Sequence, residues 1–356
     1  MTRVRILRAA GADLGAPALS VVVVSPARFA NIRTTVRHLQ RQTIRDRLQL
    51  VLVAPTTTAI DDHAPHELDG FHDVLLVACG PVADVDRSAA WGLLEAAAPV
   101  CGVIEDHAFP EDGWASASLA AHDGPWVAVG STMVNANPVT GLSWANLLLA
   151  YGAWTAPTTD GERDALPGHN LTYKTAPVAA FGAGLAERLG RGGRLLRELR
   201  GAGGRLYLAE AARVHHLNPS TLRATATVRF HSGRLYGAMR AHDGGWGWAR
   251  RALYVLGAPL IPFVRYARLP RGTFAPRRGI RRPVRTRLAV CIALACDAAG
   301  QLVGYLRGEG ASRAILCAFE LDRLPHLTAA DRRRAGHAPA DGGVARAPAT
   351  HAVPAS

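Results

Sequence analysis

The chain has 356 residues, 49% of them hydrophobic, and a formal net charge of +13. That apolar fraction excludes a mainly disordered chain, and the length suits one large domain or a domain with an appendage. The charge is carried almost wholly by arginine, because Lys174 is the only lysine; such an excess faces anions, whether nucleic acid, phosphorylated ligands or a lipid surface.

Residues 1–17 read as a disordered arm. Its arginines precede a short apolar run with no small-residue cleavage pattern, so it is not read as a signal peptide. A domain is expected over 18–240. "LSVVVVS" (from Leu19) is a β-branched run bounded by Pro26, as in a strand buried on both faces. In "NIRTTVRHLQRQ", Ile32, Val36 and Leu39 recur at helical spacing. "LQLVLVA" and "HDVLLVA" predict further strands and "VADVDRSAAWGLLEAAA" a helix. "VCGVI" predicts a strand, "EDGWASASLAAH" a helix and "PWVAVGS" a strand. Strands alternating with helices imply βαβ units, hence an α/β fold with a mainly parallel sheet flanked by helices. Beyond Ser131, "SWANLLLAYGAW" reads as a helix and "DGERDALPGHNLTYKT" as a loop entering a short strand. "LAERLGRGGRLLRELRGAG" reads as one helix, "GRLYLAEAARVHH" as a strand, and a long polar helix follows to about Arg240.

Residues 241–325 read as a basic helical region. Between Gly244 and Cys296 there is no acidic residue, while eleven arginines recur among "ALYVLGAPLIPFV" and "LAVCIALACDAAGQLVGYL". The first apolar run is too short to span a bilayer and is broken by Pro259 and Pro262; the second is interrupted by Asp297 and Gln301. Peripheral attachment to an anionic membrane surface is therefore expected, in preference to a single span at 288–306. Gly300, Gly304 and Gly308 form a small-residue stripe suited to close helix packing. The arginines lack interleaved stacking aromatics, and no nucleic-acid-binding signature appears, so nucleic acid is not an expected partner. Residues 326–356 read as a disordered tail. Five cysteines, odd in number and without metal spacing, fit buried thiols in a reducing cytoplasm.

The chemistry concentrates in "PVCGVIEDHAFPEDGW". An apolar strand runs directly into Glu105, Asp106 and His107. In parallel sheets ligands gather at the carboxyl ends of strands, and three ligand-type side chains there suit a divalent ion or a sugar hydroxyl. The alternative is that the trio caps a helix starting near Glu111. In "LPGHNLTYK", Gly168 permits close backbone approach while His169 and Asn170 offer polar side chains; a surface turn is the other reading.

These pieces, in this order, resemble the family 2 glycosyltransferases with the GT-A fold over about residues 19–218. The resemblance rests on "LSVVVVS", "LQRQT", "LQLVLVA", "IEDHAFPEDGW", "LPGHNLTYK" and "GAGGRLYLAEAARVHH". It implies a nucleotide-sugar donor and a metal, Mn²⁺ or Mg²⁺, held by Glu105, Asp106 and His107, with His216 from the closing strand. It also places Gly168, His169 and Asn170 beside donor and acceptor. The ends of the first two strands depart from the family pattern, leaving Ser25, Pro26 and Thr56 as positional candidates for the donor. The Glu-Asp pair that serves as general base is absent from its usual helix, so Glu187 and Asp164 are the candidates, with Glu198 reading as a solvated helix position. The expectation is an inverting, metal-assisted glycosyltransferase with an unknown, membrane-proximal or lipid-linked acceptor. The alternative is a catalytically degenerate member of the same fold, acting as a binding or scaffold subunit.

Overall fold

The structure, a computed structural model, describes residues 2–8, 15–190, 193–269, 273–274 and 282–334. Its strands are β1 (Thr2–Arg8), β2 (Leu19–Val24), β3 (Leu48–Ala54), β4 (Asp73–Ala78), β5 (Val100–Val103), β6 (Ala108–Pro110), β7 (Trp126–Asn135), β8 (Gly161–Arg163), β9 (Leu171–Lys174) and β10 (Arg205–His216). The helices of the first two thirds are α1 (Phe29–Gln40), α2 (Val85–Leu93), α3 (Trp114–His122), α4 (Gly141–Tyr151), α5 (Thr175–Ala179), α6 (Leu185–Leu189) and α7 (Arg194–Gly201). Those of the last third are α8 (Leu222–Asp243), α9 (Trp248–Gly257), α10 (Ile261–Ala267), α11 (Thr286–Arg307), α12 (Ser312–Leu321) and α13 (Ala329–Arg334).

All strands join one sheet in the order β1-β4-β3-β2-β5-β9-β7-β10-β6, with β8 also on β10. The fold is α/β, but the sheet is mixed. Strands β4, β3, β2 and β5 run parallel, as do β7 and β10, and antiparallel β9 joins the two blocks. Every residue of β2 and β3 is buried because helices cover both faces, which is why these segments read as continuous apolar runs. Alternate side chains serve opposite layers. Val21, Val23, Leu50 and Leu52 pack with Ile32 and Val36 of α1 and Trp114 of α3. Val22, Val24, Val51 and Val53 pack with Ala89 and Leu93 of α2 and with Leu185 of α6.

Three expectations change. Residues 2–8, expected within a disordered arm, form β1, which pairs antiparallel along β4 from Thr2↔Ala78 to Arg8↔Asp73. Ile6 packs on the core and Arg3 pairs with Glu95 at 2.6 Å, so the alternation of arginine with apolar residues is that of an edge strand. The single helix expected over 185–203 is two, α6 and α7; Gly193, at φ 74°, adopts a backbone that breaks the first before the second begins. Residues 329–334, expected within the disordered tail, form α13, capped where the Thr328 hydroxyl accepts from the Asp331 backbone at 3.2 Å. The remaining expected tail, 335–356, and the arm residues 9–14 lie outside the described residues.

The C-terminal helices are joined to the sheet domain. A Cβ on Gly300 would stand 1.9 Å from the Phe230 carbonyl oxygen and one on Gly304 2.3 Å from that of Arg234, so α11 presses directly on α8. Gly308, the third of the stripe, instead ends α11 at φ 73°. Ala289, Val290 and Leu294 of α11 pack on Ala145 of α4. Helix α11 is long and apolar enough to cross a membrane by length and composition, yet 56% of its most apolar window is buried inside the fold.

Candidate metal centre and surrounding cavity

Glu105 stands two residues past the end of β5 and is gripped from two sides. Its carboxylate accepts from the Tyr151 hydroxyl at the end of α4 (3.1 Å) and from the Asn170 side-chain amide (2.5 Å). The Asn170 carbonyl oxygen in turn accepts from the Glu105 backbone N–H at 3.0 Å. Asn170 is buried at φ 57°, a left-handed conformation that asparagine tolerates better than most residues. Its side chain is therefore committed to Glu105.

The two histidines have their ring nitrogens sorted by their neighbours. His107 Nδ1 lies 2.6 Å from Asp106 Oδ1, and its Nε2 lies 2.7 Å from Arg323 Nη2. A guanidinium only donates, so Nε2 carries the lone pair and Nδ1 donates to Asp106. His216 Nδ1 lies 2.8 Å from Asn218 Oδ1. That amide is oriented by its own N–H bonds to Asn135 Oδ1 (3.1 Å) and the His216 carbonyl (2.9 Å). His216 Nε2 faces Glu105 Oε2 at 3.4 Å. Either a ring proton or a cation fits between that nitrogen and the carboxylate. A partner fixing the far nitrogen of each ring is also how metal-binding imidazoles are oriented. Ligand atoms of Glu105, His107 and His216 all lie within 4.8 Å of one another, and the donor set fits a metal ion. His215, the neighbour on β10, faces the other side, its Nε2 2.8 Å from Glu111 Oε1.

Asp106, expected as a ligand, stands behind His107 as its hydrogen-bond acceptor. It does not cap a helix either: α3 starts at Trp114, with Gly113 before it. The place beside His107 Nε2 is taken by Arg323, 6% exposed, which also pairs with Glu320 of α12.

The charges shape one another. Burial would raise the Glu105 carboxyl, but its neighbours, the charge of His169 foremost, hold it well below the usual range. Burial pushes Asp106 up to about 7 despite Arg323. Burial, reinforced by Arg323, lowers His107 to about 3, so this imidazole is neutral. His169 goes the other way. Burial would lower it, but Asp86 and Glu105 raise it to about 9, making it a cation between the two carboxylates, 3.2 Å from Asp86 and 3.9 Å from Glu105. Asp86, in the first turn of α2, is lifted by burial to about 6.

These groups line a cavity of about 800 Å³. Its far wall is α8 and α12, apolar at Val228, Leu235, Met239 and Leu316, with Arg197, Arg240 and Arg313 around it. A second cavity of about 430 Å³ lies across Asp106, His107 and Arg323, beside Pro26 and Arg28.

The remaining predicted residues divide. His169 lines the large cavity and Pro26 the smaller one. Ser25 is buried, its hydroxyl donating to the Arg28 carbonyl at 2.9 Å. Thr56 meets Thr58 at 3.2 Å and lines neither cavity; Gly168 is an exposed turn residue. The two expected bases lie elsewhere. Asp164 is 89% exposed and paired with Arg200, and Glu187 pairs with Arg194 on the surface at 3.2 Å. A base must reach the substrate proton, and neither carboxylate lines the cavity. The residues sequence reasoning missed are Asp86, Tyr151, Asn218, Glu320 and Arg323. Asp86 had the one local signal, an acid in a helix first turn just past a strand end.

No protein-family model matches this chain, and no curated protein matches it.

Proposed function

We propose that the protein is a glycosyltransferase of the GT-A type, moving a sugar from a nucleotide-sugar to an acceptor hydroxyl. The observation that carries this reading is the cluster itself: Glu105, His107 and His216 converge at the carboxyl end of β5 on the wall of a cavity of about 800 Å³. That volume lies in the usual range for small-molecule sites. Two imidazoles with one carboxylate suit Mn²⁺ better than Mg²⁺, which prefers oxygen ligands and near-ideal octahedral geometry. Bound there, the ion supplies positive charge beside a leaving diphosphate.

The rest of the chemistry falls to the chain. The acceptor oxygen forms a bond to the anomeric carbon as the bond from that carbon to the diphosphate oxygen breaks, and the diphosphate leaves with the bonding pair. Asp86 receives the acceptor proton. At about 6 it is ionised near neutrality yet basic enough to accept, and His169 holds it in place. Tyr151 and Asn170 keep Glu105 aimed at the cluster.

A second reading, a degenerate member that binds without turnover, draws on one observation: Arg323 sits on His107 Nε2 and supplies a positive charge of its own. The test is a panel of nucleoside-diphosphate sugars with Mn²⁺, following calorimetric binding and nucleoside-diphosphate release. Release that stops with a chelator supports the enzyme. Binding without release supports the second reading, and failure to bind any donor overturns both.

A further inference from the structure

The helices α9 and α10 each have two faces, and only one serves the fold. On the inner face Tyr254, Val255 and Ile261 pack against Ala241, Trp246 and Tyr305, and Ala258 is buried. Arg265 reaches inward to Asp297 of α11. The outer face carries Trp248, Leu253 and Leu256 of α9, Leu260 of the turn between the helices, and Phe263 of α10; Trp248, Leu256 and Phe263 are 84%, 80% and 73% exposed. A soluble helix of this kind turns its polar side to water. Here large apolar side chains from two consecutive helices and the turn between them face out, together with the exposed Arg268, while the exposed Arg250 stacks on Trp246.

The surrounding charge identifies the occupant. From Gly244 to Cys296 the sequence has eleven arginines and no acid. A second copy would bring the same positive field to the same patch and be repelled. Leucines offer nucleic-acid bases no stacking surface. A lipid leaflet with anionic headgroups satisfies both features at once, taking the apolar side chains into the acyl boundary and the guanidinium groups at headgroup level. Tryptophan is favoured at that boundary.

We infer that the outer face of α9 and α10, with Trp248, Leu256, Leu260 and Phe263 as its inserting side chains, docks on an anionic phospholipid bilayer. Docking uses an interfacial segment and needs no spanning helix, so α11 stays packed on α8. The large cavity extends along α8 to Asp243 and Gly244, a few residues before α9 begins. The inference is independent of what the cavity binds.

The test is flotation of the full chain with vesicles of neutral phosphatidylcholine, alone or mixed with phosphatidylglycerol, at low and high salt. The bound fraction is expected to rise about tenfold or more with anionic lipid and to fall on raising salt from about 0.1 M to about 1 M. Leu256→Glu with Phe263→Glu should lower binding about tenfold or more, with circular dichroism and melting unchanged because both side chains face outward. Brominated lipid should quench tryptophan fluorescence, and Trp248→Phe should remove most of that quenching. Three results overturn the inference. One is no binding to anionic vesicles; another is binding untouched by the double substitution. The third is a dimer that the double substitution dissociates while vesicles stay unbound.

Discussion

Along β2 and β3 every side chain is buried, whereas α9, α10 and the turn joining them present Leu253, Leu256, Leu260 and Phe263 outward. The contrast extends to charge. In the sheet half, the buried carboxylate of Glu105 has Tyr151, Asn170 and His216 around it, and His169 lies between Glu105 and Asp86. From Gly244 to Cys296 arginines accumulate with no acid among them, and Arg265 reaches Asp297 of α11 for its partner. The sheet half therefore answers the charges around Glu105 from within the fold, and there Glu105 faces His216 Nε2 across 3.4 Å. The helical region satisfies only its inner face. Each region has one place where a ligand is proposed, a cation in the first and an anionic surface in the second.

The largest effect is expected where the sheet half is incomplete. Glu105→Gln keeps the shape and removes the charge, so nucleoside-diphosphate release should fall ~100-fold with the fold retained. Activity near the unaltered level in a steady-state assay would break the account of the cluster.

Next is the join between the two regions. Gly300→Ala places a methyl where the Phe230 carbonyl stands, and the two long helices must part; unfolding should become easier by about 1–3 kcal/mol. Gly257→Ala, at the end of α9 where nothing lies within 4 Å, should be neutral or stabilise by up to about 1 kcal/mol. Thermal or denaturant unfolding of both variants checks the pair, and equal effects would contradict the close α8–α11 crossing.

The smallest effect concerns a buried polar group outside the site. His122 meets the Thr172 hydroxyl at 2.9 Å, and burial followed by the Lys174 charge lowers it to about 4. Its unfolded value is near 6.5, so the unfolded chain binds the proton first as pH falls. This histidine's contribution to stability is complete above 6.5, declines toward 4 and then levels. His122→Gln should flatten that part of the stability–pH curve relative to the unaltered protein; parallel curves would remove His122 from the account.

Much of this was legible in the sequence, for reasons that can be named. Strands β2 and β3 announced themselves because burial on both faces demands unbroken apolar runs. Glu105, His107 and His216 were legible because polar ligands at the ends of apolar strands have no packing purpose. The role of Asp106 was not, because its direction depends on the His107 ring it supports. Arg323 joins from 216 residues away along the chain, and nothing in "ELDRLP" distinguishes it from the other arginines. The expected bases, Glu187 and Asp164, follow the family's usual helix and the loop before it and do not line the cavity, whereas Asp86 on α2 does. Strand β1 was missed because its arginines masked an edge-strand alternation.

The central claim is that Glu105, His107 and His216 form a cation site with Arg323 holding the place beside His107. Titration of the full chain with Mn²⁺, followed by calorimetry and electron paramagnetic resonance, tests it most directly. One bound ion is expected in the unaltered protein, tighter binding in Arg323→Met, and loss of the site in His216→Ala. No binding to either the unaltered protein or Arg323→Met, or binding that survives His216→Ala unchanged, would contradict it.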